Sequence, residues 1–241
     1  MASVRMRIVA VATHKERMFD LFVESAHRHK IRLDILGMGE TWRGFGWRWT
    51  LILAHLETVD DDELILVTDA FDTLILKDSD AFAAAFRALN APIVFSKEPD
   101  AAEFHPCARY YRWRLFGKDP VVNGGTYMGT CGALRTFLRR LKYTDTTDDQ
   151  RLLTRLHKLT HMRLDASYTL MYHCVGWRRK QTLPDTCVVT FPAEGHTPDV
   201  LSQLGYAYEP PPTQLTLRRL RHYVPFFWRE IVCVLTVMWM L

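Results

Sequence analysis

Short apolar runs alternate along this chain with stretches in which apolar residues return every third or fourth position. That change of period separates strands from helices. Ile8 to Thr13 predicts a buried strand. Arg17 to His29 predicts a helix carrying Met18, Phe19, Phe22 and Ala26 on one face. Ile31 to Leu36 predicts a second strand, closed by the turn Gly37-Met38-Gly39. After the loop TWRGFGWRW an apolar helix is expected from about Trp49 to Leu56, and the acidic turn Asp60 to Asp62 precedes a third strand, Glu63 to Thr68. An Ala-rich helix, Ala81 to Leu89, is separated by Pro92 from a fourth strand, Ile93 to Ser96. This order implies an α/β fold with a mostly parallel sheet and helices on both faces. In such sheets ligands bind beyond the carboxyl ends of the strands.

The second half is less regular. Lys97 to Pro120 reads as an irregular stretch rich in aromatics (Phe104, Tyr110, Tyr111, Trp113). Asn123-Gly124-Gly125 reads as a turn, Thr126 to Gly129 as a short strand and Ala133 to Lys142 as a helix. A polar turn, Tyr143 to Thr147, runs into a helix from about Asp148 to Leu159, and short strands near Met162 to Leu164 and Val188 to Phe191 extend the sheet, mixed in direction. No internal repeat or linker composition interrupts the chain, so one domain is expected.

Composition agrees with a packed domain: 48% of the 241 residues are hydrophobic and 24% charged, which excludes a disordered or collagen-like chain. The net charge of +4 is spread out, apart from Arg218, Arg219 and Arg221, so a nucleic-acid interface is disfavoured. Five cysteines, odd in number and without a CxxC pair, support neither a zinc site nor a disulfide framework. The first strand is too short for a secretory signal, which makes a cytosolic location the default expectation. No strand is followed by GxGxxG or GxxxxGK[ST], so dinucleotide and P-loop readings lack their fingerprint.

Four constellations carry chemistry. In LILVTDAFDTLIL a hydrophobic strand delivers Asp69 and Asp72, flanking Phe71, at its carboxyl end. Two carboxylates so placed suit a hard divalent cation, although a bare DxxD also reads as a capped turn. In VVNGGTYMGT the glycines after Asn123 let backbone approach a ligand, or form a hairpin turn. In TDTTDDQ, Asp145, Asp148 and Asp149 with Gln150 form an acidic cluster at a helix start, which suits a polyol acceptor or plain capping. In TWRGFGWRW, Arg43 and Arg48 either bind phosphate or cover tryptophan faces.

The order of these motifs resembles the glycosyltransferase domain of the procollagen lysyl hydroxylases and related viral collagen glucosyltransferases. The likeness runs from VAVATHKE through LGMGETWRG, VTDAFDT, VNGGTYMG and TDDQ to YVPFFW at Tyr223 to Trp228. It implies a glycosyltransferase-A fold, a UDP-sugar donor and Mn²⁺. Carried over, it makes Asp69, Asp72 and His196 the metal ligands, with His173 and His222 as alternatives to the last. Phe71 would stack on uracil, Thr13 contact the nucleoside and Arg48 touch the diphosphate. Asn123, Gly124 and Gly125 would form the sugar-side loop, and Asp148, Asp149 and Gln150 would face donor sugar and acceptor. The implied reaction moves a hexose, glucose by resemblance, with retention, onto glycosylated hydroxylysine or a similar sugar acceptor.

Two other readings stand beside it. FDTL echoes the nucleophile motif of haloacid-dehalogenase-like phosphohydrolases, without the second acid two residues on. A non-catalytic scaffold that binds a nucleotide-sugar is the other. The catalytic domain is expected over residues 1–228 and an apolar tail over 229–241. Ile231 to Leu241 as a helix would be about 16 Å long, short of the roughly 30 Å bilayer core. It therefore either packs on the domain or touches a membrane surface beside the Arg218–Arg221 cluster.

Overall fold

The computed structural model describes residues 4–99, 116–117, 120–160, 162–174, 183–192 and 197–208, with side chains omitted at 197–199. The aromatic positions from Phe104 to Trp113, His196, His222 and the 229–241 tail lie outside the described residues. The elements are β1 (Met6–Val11), α1 (Phe19–Arg28), β2 (Arg32–Leu36), α2 (Phe45–Leu56), β3 (Leu64–Asp69), β4 (Thr73–Ile75) and α3 (Ser79–Ala88). They continue with β5 (Ile93–Lys97), β6 (Val122–Thr130), α4 (Cys131–Arg140), α5 (Asp149–Thr160), β7 (Arg163–Asp165), β8 (Met171–His173), β9 (Val188–Thr190) and α6 (Thr197–Gln203).

A six-stranded sheet in the order β2-β1-β3-β6-β5-β7 forms the centre, and a three-stranded sheet, β4-β9-β8, stands beside it. β1 runs parallel to β2 and β3, and β5 parallel to β7, while β6 lies antiparallel between β3 and β5. Successive side chains on a strand face opposite ways. Ile8 and Ala10 of β1 and Leu64 and Leu66 of β3 therefore join Phe19, Phe22, Phe82 and Phe86 from α1 and α3 in one core. Val9, Val11, Ile65 and Val67 join Trp47, Trp49 and Ile52 of α2, Leu134 of α4 and Leu153 of α5 in the other. Each fully buried Phe or Leu contributes on the order of 2–3 kcal/mol. A third cluster, with Leu74, Tyr172, Val189, Phe191 and Leu201, fastens α6 to the small sheet.

Local chemistry explains the helices. α1 carries Asp20 in its first turn and His27 and Arg28 in its last, which complements the helix dipole. Asp78 caps α3 by accepting from the Ala81 N–H at 3.0 Å.

Three expectations are corrected. The strand near Val188 to Phe191 does not extend the central sheet, because β9 pairs with β4 and β8 in the small one. The helix expected from about Trp49 begins at Phe45, four positions earlier. Its first turn lies against the Thr144 and Asp145 carbonyls, where a Cβ on Gly44 or Gly46 would collide with them. The segment Asn123-Gly124-Gly125 is no hairpin turn, because it is the start of strand β6. Since β6 is reversed, its first residues arrive at the rim where the carboxyl ends of β1, β3 and β5 emerge. β4 and β8, three residues each, are strands that hydrophobic periodicity does not announce.

Candidate functional site

The rim is built on a buried cluster of threonines. Thr68 at the end of β3 shares hydroxyl hydrogen bonds of 3.1 Å with both Thr73 and Thr126, and Thr73 Oγ1 donates to the Asp69 carbonyl at 2.6 Å. These bonds fix the bend from β3 into β4 and tie it to β6. Asp69 leaves this bend with its side chain 46% exposed, open enough to meet a ligand while its backbone is held.

Arg48, which closes the first turn of α2, reaches this bend from below. The residue is only 3% exposed. Its Nη1 donates to Asp69 Oδ1 at 3.0 Å and lies 3.7 Å from Asp149 Oδ2. Its Nη2 donates to the carbonyls of Gly124 at 3.0 Å and Gly125 at 3.3 Å. Burial works to lower the Arg48 pKa, but the charges of Asp69 and Asp149 outweigh it and hold the guanidinium above its ordinary value. Asp149 is raised, mainly by burial, with Arg48 opposing the rise and Asp69 adding to it. The neighbouring Tyr127 hydroxyl is pushed by burial up to about 12 and stays neutral.

The glycines of β6 make this approach possible. A Cβ on Gly124 would sit 2.6 Å from the Asp149 carboxyl carbon, and one on Gly125 would run into the Asp69 carboxylate. Asn123 precedes them as a brace: its Oδ1 accepts from the N–H of Gly125 at 2.8 Å and of Thr126 at 3.2 Å, while its Nδ2 donates to Glu98 at 2.7 Å. Glu98 is a further rim residue, outside the four sequence constellations. Its position just after β5, at a strand's carboxyl end, is the signal that marks it.

Phe71 and Thr13 lie on the β1 side of the rim. The half-buried Phe71 ring lies 5.6 Å from His14, tilted by 38°, and 6.5 Å from Phe19. Thr13 Oγ1 is 2.9 Å from His14 Nδ1, and the Thr13 carbonyl accepts from Gly39 N–H at 2.9 Å, which joins the loops after β1 and β2. Asp72 turns toward Arg17, whose Nη2 is 3.9 Å from Asp72 Oδ2, and its side chain is 14% exposed. His14 and Arg17 are thus further rim residues, recognisable as the polar positions that follow β1.

On the far side, Asp148 and Asp149 divide their work. Asp148 caps α5 by accepting from Arg151 N–H at 2.9 Å and stays exposed beside the Arg151 guanidinium. Asp149 is 7% exposed and accepts from the Gln150 N–H at 2.8 Å. Arg43 lies over the Trp47 ring at 5.4 Å, a cation–π contact away from the acids.

The site therefore brings together Asp69, Arg48, Gly124, Gly125 and Asp149, with Asn123 and Glu98 behind them. A hard divalent cation wants carboxylate oxygens, and the rim offers them: Arg48 takes Oδ1 of Asp69, and Oδ2 stands over Gly125. Among the described residues no three His, Cys, Asp or Glu side chains gather closely enough to hold a metal ion. His196, the third ligand that the sequence resemblance implies, lies outside those residues. His173 is engaged elsewhere: it is 1% exposed, and its two ring nitrogens face the hydroxyls of Ser96 and Thr190. Burial lowers its pKa to about 3.

Comparison with known sequences adds to this geometry. The sequence model of one family, described as PLOD GT domain, matches residues 2–231. Procollagen-lysine,2-oxoglutarate 5-dioxygenase 1 of Pongo abelii is 28% identical over 243 residues, covering 92% of this chain and 32% of that protein. The multifunctional procollagen lysine hydroxylase and glycosyltransferase LH3 of Homo sapiens is 25% identical over 243 residues, 93% of this chain and 32% of that protein. This chain spans about a third of the length of the curated relatives it matches.

Proposed function

The chain belongs to the PLOD GT domain family, and from that premise and the geometry of its rim we propose that it moves a hexose, glucose first, from a UDP-sugar to a sugar acceptor such as glycosylated hydroxylysine. The observation that carries this reading is the meeting of Asp69 and Asp149 over a backbone stripped of side chains at Gly124 and Gly125. An acid open to ligand, a stretch of glycine backbone and a second acid make a cradle for a sugar between a leaving group and an acceptor.

The parts take these roles. Phe71, with His14 beside it, offers an aromatic face to a nucleobase, and Thr13 a hydroxyl to the nucleoside. Asp69, Asp72 and His196 would hold Mn²⁺, which when bound supplies Lewis-acid neutralisation of charge on the departing UDP. Arg48 adds a fixed positive charge beneath the site, where low solvent access strengthens its field. Asn123, held by Glu98, and the Gly124–Gly125 backbone line the sugar side. Asp149 faces positive charge developing on the sugar ring. Asp148 and Gln150, at the start of α5, orient acceptor hydroxyls. Retention at the anomeric carbon is proposed on the family likeness.

The test is UDP release from a panel of UDP-sugars, with Mn²⁺ or EDTA, with and without a glycosylated hydroxylysine acceptor. Release from UDP-glucose with Mn²⁺, abolished by EDTA and by Asp69→Asn, is the expected result. Activity unchanged in EDTA and in Asp69→Asn would overturn the metal assignment. Phosphate release from phosphomonoesters without UDP release would replace sugar transfer by the phosphohydrolase reading.

A further inference from the structure

A residue that touches a donor diphosphate should present its charge at the open rim, yet the Arg48 guanidinium is directed into the chain. Nη1 is committed to Asp69 Oδ1 with Asp149 Oδ2 within 3.7 Å, and Nη2 to two backbone carbonyls. With 3% of the residue exposed, a phosphate oxygen could reach it only by displacing one of these groups.

We propose that Arg48 is a positioning residue for sugar transfer, acting through Asp69 and Asp149 rather than by gripping the donor. The proposal rests on the transferase reading above. Its partners lie 21, 76 and 77 positions away in sequence, so one side chain ties the end of β3 and the start of β6 to α2. It reaches the start of α5 through Asp149. The two carboxylates carry like charge, and the shared cation lets them stand near the same few ångströms of backbone. The glycines complete the arrangement. Neither acid could keep its place against a Cβ at 124 or 125, so acid, guanidinium and bare backbone form one unit. Lysine cannot substitute in this geometry, because a single ammonium lacks the planar fork that serves two carbonyls and two acids at once.

Two variants of the whole chain test this: Arg48→Lys, and Gly124→Ala, which leaves Arg48 intact and crowds Asp149 instead. The readouts are kcat and KM for UDP-glucose turnover at saturating Mn²⁺, the calorimetric Kd for UDP with Mn²⁺, and thermal unfolding. Displacement of a catalytic group by about 1 Å costs roughly 100-fold in rate, so both variants should lose about that factor in kcat. At saturating Mn²⁺ their KM for UDP-glucose and Kd for UDP should stay within a few-fold of the wild type, while Arg48→Lys, by loosening Asp69, should raise the Mn²⁺ concentration needed to reach saturation. A tenfold or larger rise in KM and UDP Kd for Arg48→Lys, with kcat unchanged, would make Arg48 a diphosphate contact and overturn the proposal. If Arg48→Lys shows no cooperative unfolding, Gly124→Ala decides: a fall in kcat at constant KM supports the proposal and an unchanged kcat overturns it. A wild-type chain that releases UDP from no sugar nucleotide overturns the transferase reading itself, and the two failures are thereby told apart.

Discussion

Lowering the pH from 7 to 5 should destabilise the fold through one side chain, His173. Its ring, carried by β8 of the small sheet, sits between the hydroxyls of Ser96 on β5 of the central sheet and Thr190 on β9, and burial holds the folded pKa at about 3 against an ordinary 6.5. Between those two values the unfolded chain binds a proton that the folded chain refuses. Stability therefore falls as pH falls through that window, and the loss stops below about 3, where both states are protonated. Integrating the difference in bound protons from pH 7 to pH 5 gives a loss of about 2 kcal/mol. For a domain of this size that is a fall of roughly 4–8 °C in Tm. The assay is urea or thermal unfolding at pH 7 and pH 5 for wild type and His173→Gln. The variant has its own cost at both pH values, so the comparison is between the two pH dependences. The wild type should lose about 2 kcal/mol more than His173→Gln over this interval. Parallel losses in the two proteins, or a folded-state NMR titration of His173 near its ordinary value, would refute the reasoning.

Further outcomes follow from other parts of the molecule. Arg7 forms a two-pronged ion pair of 2.7 Å bonds with Glu63 and a 2.9 Å bond with Asp34, buried at the end of the sheet away from the acids. Glu63→Ala should cost about 3 kcal/mol, while Arg7→Met with Glu63→Leu should cost less than Glu63→Ala alone, as read by urea unfolding. Asp149→Asn should lower kcat for sugar transfer by about 100-fold or more while leaving UDP affinity, measured by calorimetry, close to wild type. Phe71→Ala should raise KM for the UDP-sugar about 2- to 10-fold through loss of aromatic contact, with kcat little changed.

Much of the architecture was legible because short, continuous apolar runs such as Ile8 to Val11 and Leu64 to Val67 mark strands covered on both faces, whose alternate residues enter the two cores. The parallel half of the sheet and the helices α1 and α3 followed from that pattern. Asn123-Gly124-Gly125 misled because its composition is that of a turn. What makes it a strand is non-local: Asn123 is held by Glu98, and its glycines admit acids from two other elements. β4 and β8 are too short to show any period, and they exist because β9 lies between them to pair with both. In the site, Asp69 and Asp149 were visible as acids at element ends. The burial of Arg48 was hidden, since a loop rich in arginine and tryptophan carries no sign of partners far along the chain. The same holds for His173, whose two hydroxyl partners come from β5 and β9.

The reversed strand β6 also bears on how a nascent molecule reaches its native state. A segment made late, residues 122–130, is inserted between two made earlier, so β3 keeps one bare edge and β5 waits without that neighbour until it arrives. Such edges invite pairing with foreign chains. The insertion that closes this hazard also brings the paired glycines beneath the acids. Until residues 122–130 dock, the sheet therefore has an open edge and lacks the glycine backbone over which the two acids come to stand.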